Sequence, residues 1–254
     1  MDAEKVLAAF DRELRREARP LSPGDRVEHE DRVVRYLSDG WDCVIWSGLD
    51  DDTADTEIAT QISCFTTLGR PFEWKLYGYD QPADLSDRLL KAGFVPGEEE
   101  TLMVAEISDL DTEVTLPDGV HLHPVTADAD LDLMRSVHDR AFGTDSTDLV
   151  HALRAQLAQG TLVAFVAMAG NEPVSAARME LCPGTGFAGL WSGGTIPAWR
   201  GRGLYRALVA CRARVAADHG YRYLQVDASP ESRPILERLG FHPLTTTTPY
   251  TYEP

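Results

Sequence analysis

The sequence predicts an α/β protein built as two similar halves in tandem. Three observations carry that prediction. Strand-like and helix-like patterns alternate through the 254 residues in two series, and a polar stretch, "SDLDTEVTLPDG" (108–119), separates them. Short matches recur at one offset: "WKLYGYD" (74–80) against "YRYLQVD" (221–227), and "LLKAGF" (89–94) against "LERLGF" (236–241), both 147 positions apart. The hydrophobic fraction is 43%, enough for a packed core, and no apolar run approaches the ~20 residues that cross a bilayer.

The opening stretch, "MDAEKVLAAFDRELRREARP", carries acidic residues throughout and no apolar stretch of the export-signal kind, so it reads as an amphipathic helix of a cytoplasmic protein. Strands are expected at 32–37, 43–49, 72–80 and 101–107. Helices are expected at 53–69 and 82–92, the second closed by Gly93-Phe94. The second series begins with a strand at "VHLHPV" and helices near 127–141 and 146–158. His121 and His123 alternate with Val120 and Leu122 and read as strand-surface residues. Strands follow at "TLVAFVAMAG", "PVSAARMELC" and "FAGLWSGGT", then a helix at 201–219, a strand at 221–227 and a short helix at 231–239. "TTTTPYTYEP" is left as a tail.

Net charge is −17, a field that makes nucleic acid and anionic membranes poor partners and modestly favours a cationic substrate. The four cysteines, Cys43, Cys64, Cys182 and Cys211, have no C-x-x-C spacing. They read as buried free thiols, with no metal site.

The most informative stretch is "GTIPAWRGRGLYRALVACRAR" (194–214). Glycines at 201 and 203 let backbone approach an anion closely, and the residues that follow enter a helix whose first N–H groups lack partners. Arg200, Arg202 and Arg206 add charge, and charge-assisted hydrogen bonds of roughly 1.5–3 kcal/mol each hold a diphosphate without metal. Leu204, Leu208, Cys211 and Val215 line one helical face. A nucleoside-triphosphate loop would need a lysine and a Mg²⁺-binding hydroxyl, and a dinucleotide loop a third glycine; none is present.

These residues resemble the acyl-CoA loop, [QR]-x-x-G-x-[GA], of the GNAT (GCN5-related) N-acetyltransferases, matching at Arg200 and Gly203, with Tyr205 where the family has Gly or Ala. The resemblance runs from about Val120 to the C-terminus. It implies two mixed-sheet domains in tandem: residues 1–115 as a degenerate copy without a CoA loop, and 116–254 as the complete acetyltransferase domain. At the 147 offset, "RGRGLY" falls opposite "TADTEI" (53–58), preceded by Asp50, Asp51 and Asp52, which repel a pyrophosphate.

The resemblance further implies acetyl transfer from acetyl-CoA to an amine of a small molecule or peptide, by a monomer or homodimer. Residues 201–206, that is Gly201, Arg202, Gly203, Leu204, Tyr205 and Arg206, would seat the cofactor with Arg200. Gly193, Gly194 and Thr195 would pair with its pantetheine arm and polarise the thioester, and the two glycines invite a strand bulge. Ser229 stands where the family often has a pantetheine-binding Asn, and Leu236 where it often has an acid Tyr. Ser229, Ser232, Tyr205 and Tyr250 are the candidate substitutes for that acid. Glu180 is the first candidate base and Asp227 the second. The alternative is a non-catalytic acyl-CoA-binding or interaction module. A tandem with a degenerate first half is also similar to mycothiol synthase-type acetyltransferases.

Overall fold

The computed structural model describes residues 1–38 and 41–254, and the side chains of these except at position 148. The first half contains α1 (Ala3–Phe10), β1 (Arg26–His29), β2 (Val33–Leu37), β3 (Cys43–Ser47), α2 (Ala54–Leu68), β4 (Phe72–Tyr77), α3 (Leu85–Lys91), β5 (Val95–Pro96) and β6 (Glu100–Glu106). The second half contains β7 (Val120–Pro124), α4 (Asp128–Phe142), α5 (Thr147–Gln159), β8 (Val163–Ala169), β9 (Glu172–Leu181), β10 (Phe187–Thr195), α6 (Leu204–Asp218), β11 (Tyr223–Ala228), α7 (Arg233–Arg238) and β12 (His242–Tyr252).

These strands join in a single sheet, ordered β1-β2-β3-β4-β12-β6-β11-β10-β9-β8-β7, with β5 added beside β12. Each half is an antiparallel series that ends in one parallel pair joined by a helix: β3-α2-β4 in the first half and β10-α6-β11 in the second. The halves interlock. β6 of the first half pairs with β11 of the second, and β12 of the second half pairs with β4 of the first.

β12 is the main correction to the sequence reading, which left these residues as a tail. Threonines and tyrosines suit a pleated surface, while Pro249 argues against a strand because it cannot donate. Here Pro249 falls between the stretch that pairs with β6, which ends at Thr247, and the stretch that pairs with β5, which starts at Tyr250. The missing donor therefore costs little. β1 and β5, both short, were also not expected.

The repeat is visible in matching chain ends. Gly93 and Gly240 both have φ of 98°, and the amides of Phe94 and Phe241 return to Leu89 and Leu236 carbonyls at 3.1 and 3.0 Å. The aspartate match is not structural. Asp227 lies within β11, whereas β4 stops at Tyr77, and Asp80 folds back to accept the Tyr77 amide at 2.9 Å. The cradle helices begin at Ala54 and Leu204, 150 positions apart rather than 147.

Alternation sorts the side chains onto two faces. Phe72 and Trp74 of β4 pack under α2 and α3, while Met103 and Ala105 of β6 and Leu224 and Val226 of β11 pack under α6 and α7. The opposite face holds Tyr77, Leu102, Val104 and Phe187, covered by Val6 and Phe10 of α1. Phe10 meets Tyr77 of β4 at 5.7 Å and Phe187 of β10 at 5.9 Å between ring centroids. Those strands are four sheet spacings apart, about 19 Å if flat, so the sheet curls around α1 and this face is its inner one. α1 runs on into a π-helical turn, Asp11–Arg16. There Arg15 is buried against Asp80, with Nη2–Oδ2 at 2.7 Å and Nε donating to the Ile45 carbonyl at 2.8 Å.

All four cysteines are free thiols; Cys43, Cys182 and Cys211 are buried and Cys64 half-buried. Among the described residues no helix is long and apolar enough to cross a membrane.

Candidate functional site

The parallel pair β10/β11 is short. Its register runs from Phe187–Tyr223 to Gly189–Gln225 and stops, although both strands continue, so they part and leave a cleft between residues 190–195 and 226–228. A bulge helps to part them. Between Trp191 and Gly194 of β10, one extra residue is fitted against β9, and Ser192 takes a left-handed φ of 54°. The bulge expected from the glycine pair is present, but its positive φ sits on the serine.

The glycines of β10 answer to crowding instead. A β-carbon at Gly193 would lie 2.9 Å from the Tyr205 ring, at Gly194 2.9 Å from Phe142, and at Gly189 2.6 Å from Nε2 of Gln225. Three carbonyls in and beyond the bulge are pinned. Ser192 accepts from Nε2 of His138 at 3.0 Å, Gly194 from the buried Ser175 hydroxyl at 2.8 Å, and Thr195 from Nε of Arg200 at 3.1 Å. His138 and Ser175 were not singled out in the sequence. Their only signal was a His on the apolar side of an amphipathic helix and a Ser inside an apolar strand, patterns shared with ordinary core residues.

Past β10, a 3-10 turn, Pro197–Trp199, leads into Arg200 and the two glycines. Gly201 and Gly203 have φ of 75° and 83°, left-handed values that favour glycine, and Gly203 is the residue preceding α6. Among the described residues, the amides of residues 201–206 donate to no protein acceptor; the first to do so is Ala207, to Gly203 at 3.0 Å. A row of free N–H groups at a positive helix end is a seat for an anion. Arg202 is exposed and stacks over Trp199, 4.5 Å from the ring centroid, and Arg206 is exposed at the same end. Arg200 is committed elsewhere: besides Thr195 it donates to the Ala141 carbonyl at 2.9 Å, tying the loop to α4.

Tyr205 does not fill the seat. Its ring turns inward onto Gly193 and the core beneath α6, and burial pushes its phenol above the usual range. Leu236 is wholly buried in the same core. Ser229 closes the turn that leads into α7, its carbonyl accepting from the Ser232 and Arg233 amides and its hydroxyl lying 3.3 Å from the Ser232 amide. Ser232 donates back to the Ser229 carbonyl at 3.2 Å. Tyr250 pairs with Trp74 on β4 and packs in the first half's core, away from the cleft. Of the four hydroxyls considered as a leaving-group acid, Tyr205 alone lies against β10.

Glu180 and Asp227 both face the inner side of the sheet. Glu180 on β9 is paired with Arg178, Nη1 to Oε1 at 2.5 Å, beside Trp191. Asp227 on β11 has a side chain only 4% exposed and is held by Lys75 of β4, Nζ to Oδ2 at 3.0 Å.

The matching place in the first half is occupied by its own chain. Asp50 Oδ1 accepts the amides of Thr53 and Asp52 at 2.9 and 3.2 Å and the Thr53 hydroxyl at 2.6 Å. A carboxylate thus sits on the amides ahead of α2, where the second half leaves them free. A surface trough along the exposed side of α2, lined by Thr56, Thr60, Ser63 and Thr67, lies apart from the cleft.

Residues 125–249, in the second half of the chain, match the family described as acetyltransferase (GNAT) domain. The whole chain resembles solved structures, one of them described as a tandem protein. A GCN5-related N-acetyltransferase from Kribbella flavida aligns with a TM-score of 0.67 at 19% identity, over 99% of this chain and 94% of that one. A tandem GNAT protein from the clavulanic acid biosynthesis pathway aligns at 0.62 and 13%, over 93% and 85%. A GCN5-related N-acetyltransferase from Sphaerobacter thermophilus aligns at 0.59 and 13%, over 98% and 85%. No curated protein matches the sequence.

Proposed function

We propose that the protein is an N-acetyltransferase with one acyl-CoA site, in the second of two repeats, 1–115 and 116–254, and that the first repeat serves as its structural partner. The observation that carries this reading is the row of free amides at residues 201–206, set between two left-handed glycines and beside the parted strands. In this reading those amides, with Arg202 and Arg206, seat the pyrophosphate of acetyl-CoA; Arg200 braces the loop instead of binding phosphate directly. Gly193, Gly194 and Thr195 line the pantetheine arm, and Ser229, in the turn before α7, stands at the far wall. These residues fit the group, because a bulky anion needs open backbone and the Tyr205 ring turns inward, away from it.

In the reaction, the acceptor nitrogen forms a bond to the thioester carbon, the carbon–sulfur bond breaks, and the thiolate leaves and takes a proton. An alkyl ammonium, with a pKa of about 10.4, must first lose a proton. Glu180 and Asp227 are the carboxylates proposed to take it, and Tyr205, a phenol kept protonated by burial, is proposed to supply the thiolate. The acidic chain and these inward carboxylates favour a cationic amine as acceptor.

Calorimetric titration with acetyl-CoA tests the seat. One site per chain, abolished in Gly203→Glu, is expected. Unaltered binding in that variant, or no binding by the wild type, would overturn the reading. Binding of acetyl-CoA without CoA release over a broad amine panel would favour the non-catalytic module.

A further inference from the structure

Lys75 is a buried lysine, 12% exposed, carried by the first half yet bonded to the second. Two strands, β12 and β6, separate β4 from β11. On a flat sheet that is about 14 Å of backbone, more than a Lys and an Asp side chain span, so the contact exists because the sheet curls. The ammonium also lies 3.6 Å from Glu100 Oε2. Burial alone would lower Lys75, but Asp227, Glu73 and Glu100 together hold it above the ordinary lysine range, fixing a permanent cation there.

Lys75 takes only one oxygen of Asp227. Oδ1 is buried and has no hydrogen-bond partner among the described residues. Asp227 stands two residues beyond Gln225, the last residue of β11 to pair with β10, and Trp191 stands two residues beyond its mate Gly189. The indole Nε1 of Trp191 is likewise buried without a partner among the described residues. Two unsatisfied polar atoms, an acceptor and a donor, thus flank the point where the strands part. A buried unpaired carboxylate oxygen is costly to keep, and in native proteins such a group calls for an explanation. Glu180, by contrast, is already engaged by Arg178.

We propose that Lys75, supplied by the degenerate first repeat, is the positioning residue of the acetyl-transfer site in the second: it grips Asp227 through Oδ2 and presents Oδ1 at the cleft to receive the ammonium of the acceptor. The inference rests on the acetyltransferase reading above. It gives the first repeat a role in the chemistry and makes Asp227, rather than Glu180, the carboxylate that meets the amine.

The test compares Lys75→Met, Lys75→Arg, Asp227→Asn and the double variant Lys75→Met/Asp227→Asn in the full-length chain. Spermidine and n-propylamine serve as acceptors, and each variant is followed by CoA release, acetyl-CoA titration and Tm. The expected result is a loss of about 30-fold or more in kcat/KM for Lys75→Met, with acetyl-CoA affinity kept within about twofold and partial rescue by Lys75→Arg. The double variant, which removes the unpaired buried carboxylate, should regain Tm but not activity. Activity that returns together with Tm would show a merely structural ion pair and overturn the proposal, as would a Lys75→Met enzyme within about threefold of wild type. A wild type that binds acetyl-CoA yet shows neither turnover nor calorimetric binding with either amine would overturn this inference alone; failure to bind acetyl-CoA would overturn the reading beneath it.

Discussion

His138 shows how much one side chain sets at this site. Its Nε2 must donate, because the Ser192 carbonyl can only accept, and that bond fixes the strained residue of the bulge. Burial lowers the imidazole below its ordinary value of about 6.5. The unfolded chain therefore binds the proton more readily than the folded one. The stability tied to neutral His138 is complete above about pH 6.5 and drains away as pH falls from there through the lowered folded-state value. Denaturant titrations between about pH 7.5 and 5 should show this loss in the wild type and a flatter profile in His138→Gln, which keeps a donor but does not titrate. Tyr205 belongs to the same scale. Tyr205→Phe keeps the ring over Gly193, so acetyl-CoA binding and Tm should hold, while kcat falls by about 10²-fold if the phenol protonates the thiolate. Unchanged kcat would assign that step to water. The turn at Gly201 and Gly203 was legible because a left-handed turn before a helix leaves a glycine signature. His138, Ser175 and Lys75 were not, because a polar residue amid apolar neighbours looks the same whether it satisfies a backbone or a catalytic group.

Among the elements, the π-helical turn after α1 carries the heaviest electrostatic commitment. Arg15 and Asp80 are 2% and 3% exposed, and the guanidinium also stacks over Tyr77 at 4.1 Å. Removing one member of a buried pair strands the other. Arg15→Met should cost about 3–5 kcal/mol, a fall of roughly 10 °C in Tm for a chain of this length. Adding Asp80→Asn should restore most of it, since the amide oxygen still accepts from the Tyr77 backbone. Calorimetric scans of the two variants check both numbers. The sequence showed this segment as an amphipathic helix, and α1 does bury Val6 and Phe10. Nothing in its pattern told that it would lie in the hollow of the sheet. The start of α6 was more readable, since it begins where the glycines stop; that Asp50 would close the turn before α2 was not read from the sequence.

At the scale of the molecule, the interlocking strands decide what can stand alone. Residues 116–254 without the first half would leave β11 without β6 and β12 without either neighbour, exposing long strand edges. That fragment should aggregate or fail to bind acetyl-CoA when expressed alone, and recover binding when residues 1–115 are co-expressed. A soluble, acetyl-CoA-binding fragment would show that the exchange of β6 and β12 is dispensable.

The sequence by itself determined the two-half plan, most of the strands and helices, and the glycine turn that opens α6. Each of these is written in local chemistry: periodicity, glycine at left-handed turns, and charge beside a helix start. Only the tertiary structure decided that the last strand of each half crosses to the other, that the sheet curls until Lys75 reaches Asp227, and that Arg200 braces the loop. Strand partners and curvature depend on contacts between residues more than a hundred positions apart, and no local pattern encodes which edges will meet.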